Sequence, residues 1–127
     1  MNNSETVTAF CEAWSSLDVD TIMAFFAEDA VYDNIPMEPA NVGKTMIREV
    51  IETFMAAPEA VRFEVHHQAE NAEGVVMNER TDTFRMADHT ITMRVMGVFE
   101  LADGKITAWR DYFDLNEYLG QLPQSAG

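Results

Sequence analysis

Positive charge is scarce in this chain. Eight Lys and Arg stand against 22 Asp and Glu in 127 residues, a formal net charge of −14. A field of that sign repels nucleic acid and anionic lipid and disfavours polyanionic substrates, so the expected partners are neutral or cationic. Cysteine is scarcer still. Cys11 has no second thiol to pair with, and nothing calls for an oxidising compartment. No apolar run approaches the length of a membrane span and no basic-then-apolar leader opens the sequence, so the expectation is a soluble, cytoplasmic protein. The three histidines offer no ligand spacing: His66 and His67 are adjacent, with side chains expected on opposite faces, and His89 stands alone. No metal is expected. There is no Gly-x-Ser-x-Gly nucleophile elbow either. The four prolines and six glycines are too scattered for a linker or a low-complexity tract. Residues 1–127 therefore read as one domain, with 122–127 as a frayed tail.

Apolar residues, by contrast, are plentiful: 47% of the chain is hydrophobic and 10% aromatic. A chain of this size buries roughly two thirds of its unfolded surface, enough for a core and one enclosed pocket. Val7, Phe10, Cys11, Trp14 and Leu17 recur at helical spacing, with Asn3 or Ser4 as cap and Glu5 in the first turn. Asp18 can cap a second, short helix carrying Val19, Ile22, Met23 and Phe26. A short strand over 30–34 leads into a loop forced by Pro36 and Pro39. A third helix after Gly43 carries Ile47, Val50, Ile51 and Phe54 on one face, and Pro58 ends it. The second half reads as four strands over 61–69, 75–86, 89–101 and 105–115. Asp103-Gly104 is a two-residue hairpin signal, because both positions tolerate positive φ. Helices followed by a strand meander predict an α+β fold. A curved antiparallel or mixed sheet wraps around the N-terminal helices, most simply with the long third helix inside the curve. Such a cone has one open end, and therefore a pocket.

Alternation along the strands then assigns faces. In the strand over 75–86, Val76, Asn78, Arg80, Asp82, Phe84 and Met86 share one side, while Met77, Glu79, Thr81, Thr83 and Arg85 share the solvated one. In the last strand, Trp109, Asp111, Phe113 and Leu115 share a side. Arg80, Asp82 and Asp111 thus sit among apolar residues, where an unpaired charge costs several kcal/mol. A guanidinium can bridge two carboxylates with its five donors, so an Asp82–Arg80–Asp111 triplet is expected. The triplet carries −1 with both acids ionised and zero with one proton, which drives two similar groups toward one acid and one base. Tyr32 and Asn34 share a face of the first strand. With a carboxylate they could hold one water by three hydrogen bonds.

The segments Tyr32-Asp33-Asn34, Asn78-Glu79-Arg80-Thr81-Asp82 and Trp109-Arg110-Asp111-Tyr112-Phe113-Asp114 together resemble the limonene-1,2-epoxide hydrolase family, over nearly the whole chain. The family adopts the cone-like fold shared with nuclear transport factor 2, ketosteroid isomerase and SnoaL-like polyketide cyclases. The resemblance implies that Asp111 is the general base, that Tyr32 and Asn34 help hold the water, that Asp82 is the general acid and that Arg80 lies between the two aspartates. It implies pocket-lining roles for Trp109, and the shared faces add Phe84, Met86 and Phe113 as substrate contacts. The implied reaction is water addition to a small, apolar, limonene-oxide-like epoxide to give a vicinal diol, with no cofactor, in a homodimer.

Plainer readings compete. Arg80 and Asp82 could be a structural ion pair at a dimer interface. Separately, the outer sheet face with Arg94, Met96 and Val98 is mixed enough to bury in a dimer. His67, on the Phe63–Val65 face, reads as a core or pocket-lining histidine, and Cys11 as packing. Met23, Met37, Met86, Met93 and Met96 read as core before substrate contact. A ketosteroid-isomerase-like or polyketide-cyclase-like enzyme, or a non-catalytic carrier of small apolar ligands, would use the same cone. Neither gains from an arginine bridging two buried acids.

Overall fold

The structure is a computed structural model and describes residues 1–123. Most of the tail expected to fray, 124–127, lies outside the described residues. Helix α1 (Asn3–Ala13) opens with a reciprocal cap. Asn2 Oδ1 accepts from the Glu5 amide and Glu5 Oε1 accepts from the Asn2 amide, so the cap falls one residue before the expected Asn3. The helix does not run on to Leu17. Trp14–Ser16 tighten into a 3₁₀ turn, and Leu17 adopts φ 57° and is exposed. Asp18 then caps α2 (Val19–Met23) through the Asp20 amide, as its position predicts.

Strand β1 (Phe26–Asn34) starts four residues earlier than expected, so Phe26 belongs to a strand rather than to the second helix. A two-residue strand β2 (Asn41–Val42), too short to carry a sequence pattern, follows the proline loop. Helix α3 (Lys44–Met55) comes next, with Ile47 and Ile51 fully buried. Strands β3 (Ala60–Glu70), β4 (Val76–Arg85), β5 (Thr90–Ala102) and β6 (Lys105–Tyr112) form the meander. Asp103 and Gly104 turn β5 into β6 with φ of 52° and 77°, the two left-handed positions a tight hairpin needs. The last strand ends at Tyr112. Asp114 caps a short helix α4 (Leu115–Leu119) through the Asn116 amide, so Leu115 is helical rather than extended.

All six strands join one curved sheet in the order β2-β1-β6-β5-β4-β3. The β1–β6 pair is parallel, and the other pairs are antiparallel. Helix α1 lies against β3 and β4, and α3 against β1 and β2. The core is therefore shared by two helices rather than centred on α3. Phe10 is its hub, meeting Trp14, Phe25, Phe26, Phe99 and Trp109 edge to face at 5.0–6.1 Å between centroids, the arrangement aromatic quadrupoles favour.

One irregularity matters for the site. The β3–β4 register shifts between Val65 and His67: Val65 faces Arg80, His67 faces Glu79, and Gln68 faces Asn78. The extra residue is a bulge. It turns His66 and His67 both outward, where His66 Nε2 meets Thr81 Oγ1 at 2.8 Å. It also brings Gln68, not His67, to the inner face. The strict alternation that placed His67 in the pocket fails at this bulge, and His67 is exposed.

Candidate active site

The inner face of β4 behaves as its alternation predicts. Val76, Asn78, Arg80 and Asp82 are buried, with Arg80 fully so. Arg80 Nε donates to Asp82 Oδ1 (2.9 Å) and Nη2 donates to Asp82 Oδ2 (3.0 Å), a two-point pairing. The same Nη2 donates to Asp111 Oδ2 at 2.5 Å. One nitrogen therefore serves both carboxylates, which is the triplet expected from the strand faces. The guanidinium is further held against the Phe63 ring (4.9 Å to the centroid) and the Trp109 ring (5.7 Å).

Asp111 is set from the other side by β1. In the parallel register, Tyr32 faces Trp109 and Asn34 faces Asp111. Trp109 Nε1 donates to Asp111 Oδ1 at 2.7 Å, so each Asp111 oxygen already accepts one N–H. Tyr32, Asn34, Asp82 and Asp111 all line one cavity of about 270 Å³. The rest of its wall is almost wholly apolar, and Phe84, Met86 and Phe113 are among the residues that line it.

Trp109 does not line the cavity. It is fully buried between Tyr32 (4.1 Å) and Phe99 (5.8 Å), stacked on both. The indole lies on the face that alternation predicts, but the rings on either side cover it. Trp14, Phe63, Ile91, Met93 and Val95 also line the cavity, although their periodicity reads only as core. Tyr118 lines it from α4. The Asp114-x-x-Glu117 spacing was the available signal for that helix. Among the methionines, Met23 is core, Met37, Met86 and Met93 reach the cavity, and Met96 is exposed on the outer face rather than in the core.

Burial dominates the electrostatics. It pushes the Asp82 carboxyl up to about 6, against the pull of Arg80. It raises Asp111 as well, again opposed by Arg80 and by the Trp109 indole. The site thus retains a proton well above the ordinary carboxylate range, and that proton belongs to the pair. Arg80 is held firmly charged despite its burial by the two aspartates. Burial and the nearby Asp111 raise the Tyr32 phenol, so it stays neutral and able to donate. Burial lifts the Cys11 thiol to about 12, so it is packing and not a nucleophile. Among the described residues no cluster of three or more His, Cys, Asp or Glu could hold a metal, and no helix is long and apolar enough to cross a membrane.

Residues 1–124 match the limonene-1,2-epoxide hydrolase catalytic domain. The chain belongs to that family. Epoxide hydrolase EphG of Mycobacterium tuberculosis (strain ATCC 25618 / H37Rv) is 36% identical over 113 residues, covering 86% of this chain and 71% of the relative. The solved structure of an LEH-like epoxide hydrolase from M. tuberculosis superposes with a TM-score of 0.81 at 29% identity, over 94% of this chain and 88% of that one. A protein of ketosteroid isomerase-like fold from Catenulispora acidiphila, solved with trimethylamine, reaches 0.81 at 21% identity over 94% of each chain. At that identity it shows the fold alone, and the cone predicted from the helix-then-meander order is the one these proteins share.

Proposed function

We propose that this member of the family is an epoxide hydrolase that adds water to a small, neutral, apolar epoxide and releases a vicinal diol in one step. The observation that carries this reading is the sharing of Arg80 Nη2 by two buried carboxyls at the wall of an apolar cavity. Opening an epoxide needs a base for the attacking water and a proton for the departing oxygen, both placed around the same ring. Asp111 is the base, because its register partner Asn34 and the adjacent Tyr32 stand where a water beside it would be held. Asp82 is the acid. The balance is closed: Asp111 takes a proton from water, the water oxygen bonds to carbon, the carbon–oxygen bond of the ring breaks, and that oxygen takes the proton of Asp82. The next cycle needs only the proton returned from Asp111 to Asp82, two groups on one guanidinium nitrogen. No cofactor enters the reaction, and a cavity of about 270 Å³ suits a small cyclic epoxide.

A proton shuttle of the ketosteroid isomerase kind would use one carboxylate and a neutral donor, leaving the second aspartate and the arginine bridge without a task. The deciding experiment is a single turnover in ¹⁸O-water with cyclohexene oxide or limonene oxide. Label in the diol is expected; label in an aspartate side chain would indicate a covalent ester and overturn direct water attack. We further infer a homodimer through the outer sheet face, where Met96 and its register partner Tyr112 are exposed. A monomeric mass in light scattering at micromolar concentration would reject it.

A further inference from the structure

Behind Arg80 runs a chain of hydrogen bonds that direct water addition does not call upon. Arg80 Nη1, bonded to neither carboxylate, donates to Asn78 Oδ1 (3.3 Å). Asn78 Nδ2 donates to Gln68 Oε1 (3.1 Å) and lies 3.7 Å from Cys11 Sγ. Gln68 Nε2 donates in turn to Ser4 O (3.0 Å), Ser4 Oγ (2.8 Å) and Thr8 Oγ1 (3.1 Å) on α1.

The direction of this chain is fixed at its far end. A backbone carbonyl can only accept, so Gln68 presents its nitrogen to Ser4 O and its oxygen to Asn78. An amide oxygen can only accept, so Asn78 presents its nitrogen to Gln68 and its oxygen to Arg80. Each amide is thereby held in one of its two flips, and Arg80 meets an acceptor rather than a competing donor. The bulge at His66 is what brings Gln68 opposite Asn78. Gly97, on the neighbouring strand, leaves the room. A Cβ there would stand 2.5 Å from Arg80 Nη1, 2.9 Å from Asp111 Oδ1 and 3.1 Å from Asn78 Oδ1.

We propose that Gln68 and Asn78 are positioning residues, a relay from α1 that fixes the Arg80 guanidinium in the orientation where one nitrogen serves both Asp82 and Asp111. The proposal rests on the assignment of those aspartates as acid and base. The ionisable groups around the guanidinium are Asp82 on its own strand, Asp111 on β6, Tyr32 on β1 and the Cys11 thiol on α1. Phe63 and Trp109 supply apolar walls. Among the described residues, the uncharged Asn78 amide is the one hydrogen-bond acceptor of Nη1. With that acceptor lost, the guanidinium turns toward whichever carboxyl is ionised, and the pair no longer shares a nitrogen.

The test uses Gln68→Leu, Asn78→Leu and the double variant, with two readouts. The first is kcat and KM on an epoxide that the unaltered protein opens. The second, independent of any substrate, is the ¹³C-carboxyl NMR titration of Asp82 and Asp111 in aspartate-labelled protein. Each single variant is expected to lower kcat about tenfold or more with KM within about twofold and to move both carboxyl titrations. The double variant is expected to be no worse than Asn78→Leu, because both changes cut one chain. Unmoved titrations in the folded variants, or fully additive losses, overturn the proposal. If Asn78→Leu does not fold, Gln68→Leu decides. If no epoxide is opened, the hydrolase reading falls, and the titrations alone decide whether the relay positions Arg80.

Discussion

Tyr32 and Trp109 lie face to face, their centroids 4.1 Å apart and their planes 7° from parallel, and they are register partners on β1 and β6. The stack fixes the indole plane, and the indole N–H fixes Asp111 Oδ1 at 2.7 Å. An aromatic contact therefore orients the group assigned as the base.

Replacing Trp109 by Phe keeps a ring in the stack but removes that N–H. The indole favours the charged form of Asp111, so its loss raises the carboxyl further. The acid limb of kcat, where the base protonates, is expected to move to higher pH, while the alkaline limb, where the acid loses its proton, stays nearer its place. Rates measured from pH 4 to 9 read both limbs. An unmoved acid limb would show that the hydrogen bond is structural only.

Asp82→Asn and Asp111→Asn are near-isosteric, and each leaves Arg80 one carboxylate partner. Diol formation is expected to fall by about 100- to 10,000-fold in each, the usual range for a lost acid or base. Far-ultraviolet circular dichroism should be unchanged. Turnover close to that of the unaltered protein in either variant rejects the assignment of roles.

Stability should also report the buried acid. The Asp82 carboxyl is raised from 3.8 to about 6 on folding, so the folded state holds a proton that the unfolded chain has released. The stabilisation is complete below the unfolded value and is lost as pH rises through about 6. Urea unfolding from pH 4 to 7.5 should therefore show stability falling with pH, and Asp82→Asn should flatten that slope. An equal slope in both proteins would mean that the surface acids, not the site, set the dependence.

Gly97→Ala places one methyl 2.5 Å from Arg80 Nη1. Gly97 is not in the left-handed region, so the backbone tolerates alanine and the clash alone acts. The guanidinium has to move, and kcat is expected to drop by about 100-fold, as a displacement near 1 Å can cost. A crystal structure of the variant should show the bidentate pairing with Asp82 opened. An undisturbed Arg80 with full activity would show that the neighbouring strands can spread instead.

Strand alternation made much of this site legible. Asn78, Arg80 and Asp82 fall inside because β4 runs in unbroken register with β5, and Asp111 falls inside because β6 is regular from Ala108 to Tyr112, past the irregularity at Thr107. His67 was misplaced because a bulge adds one residue, and nothing in the Val65-His66-His67-Gln68 run distinguishes it from a regular strand. Trp109 lies on the face that alternation predicts but meets rings rather than the cavity, since whether an inward ring meets space or another ring is decided by packing between elements. Leu17 fits the helical period, but the chain leaves the helix before reaching it. Gln68 and Asn78 carry no chemical signature as single residues, and their joint role exists only through the β3–β4 register.

The parallel pairing of β1 with β6 has a consequence for when the protein can act. Asn34 and Asp111 are register partners, yet strands β2 to β5 all lie between them in the chain. The antiparallel meander can zip up from local hairpins, whereas β1 and β6 pair across the longest sequence separation of any two strands in the sheet, at an entropic cost that only the finished core repays. The group assigned as the base and the residue expected beside its water therefore meet only where β6 joins β1. A nascent chain still lacking β6 can hold Arg80 beside Asp82 but has no reaction centre, so catalytic competence arrives in one step with completion of the sheet.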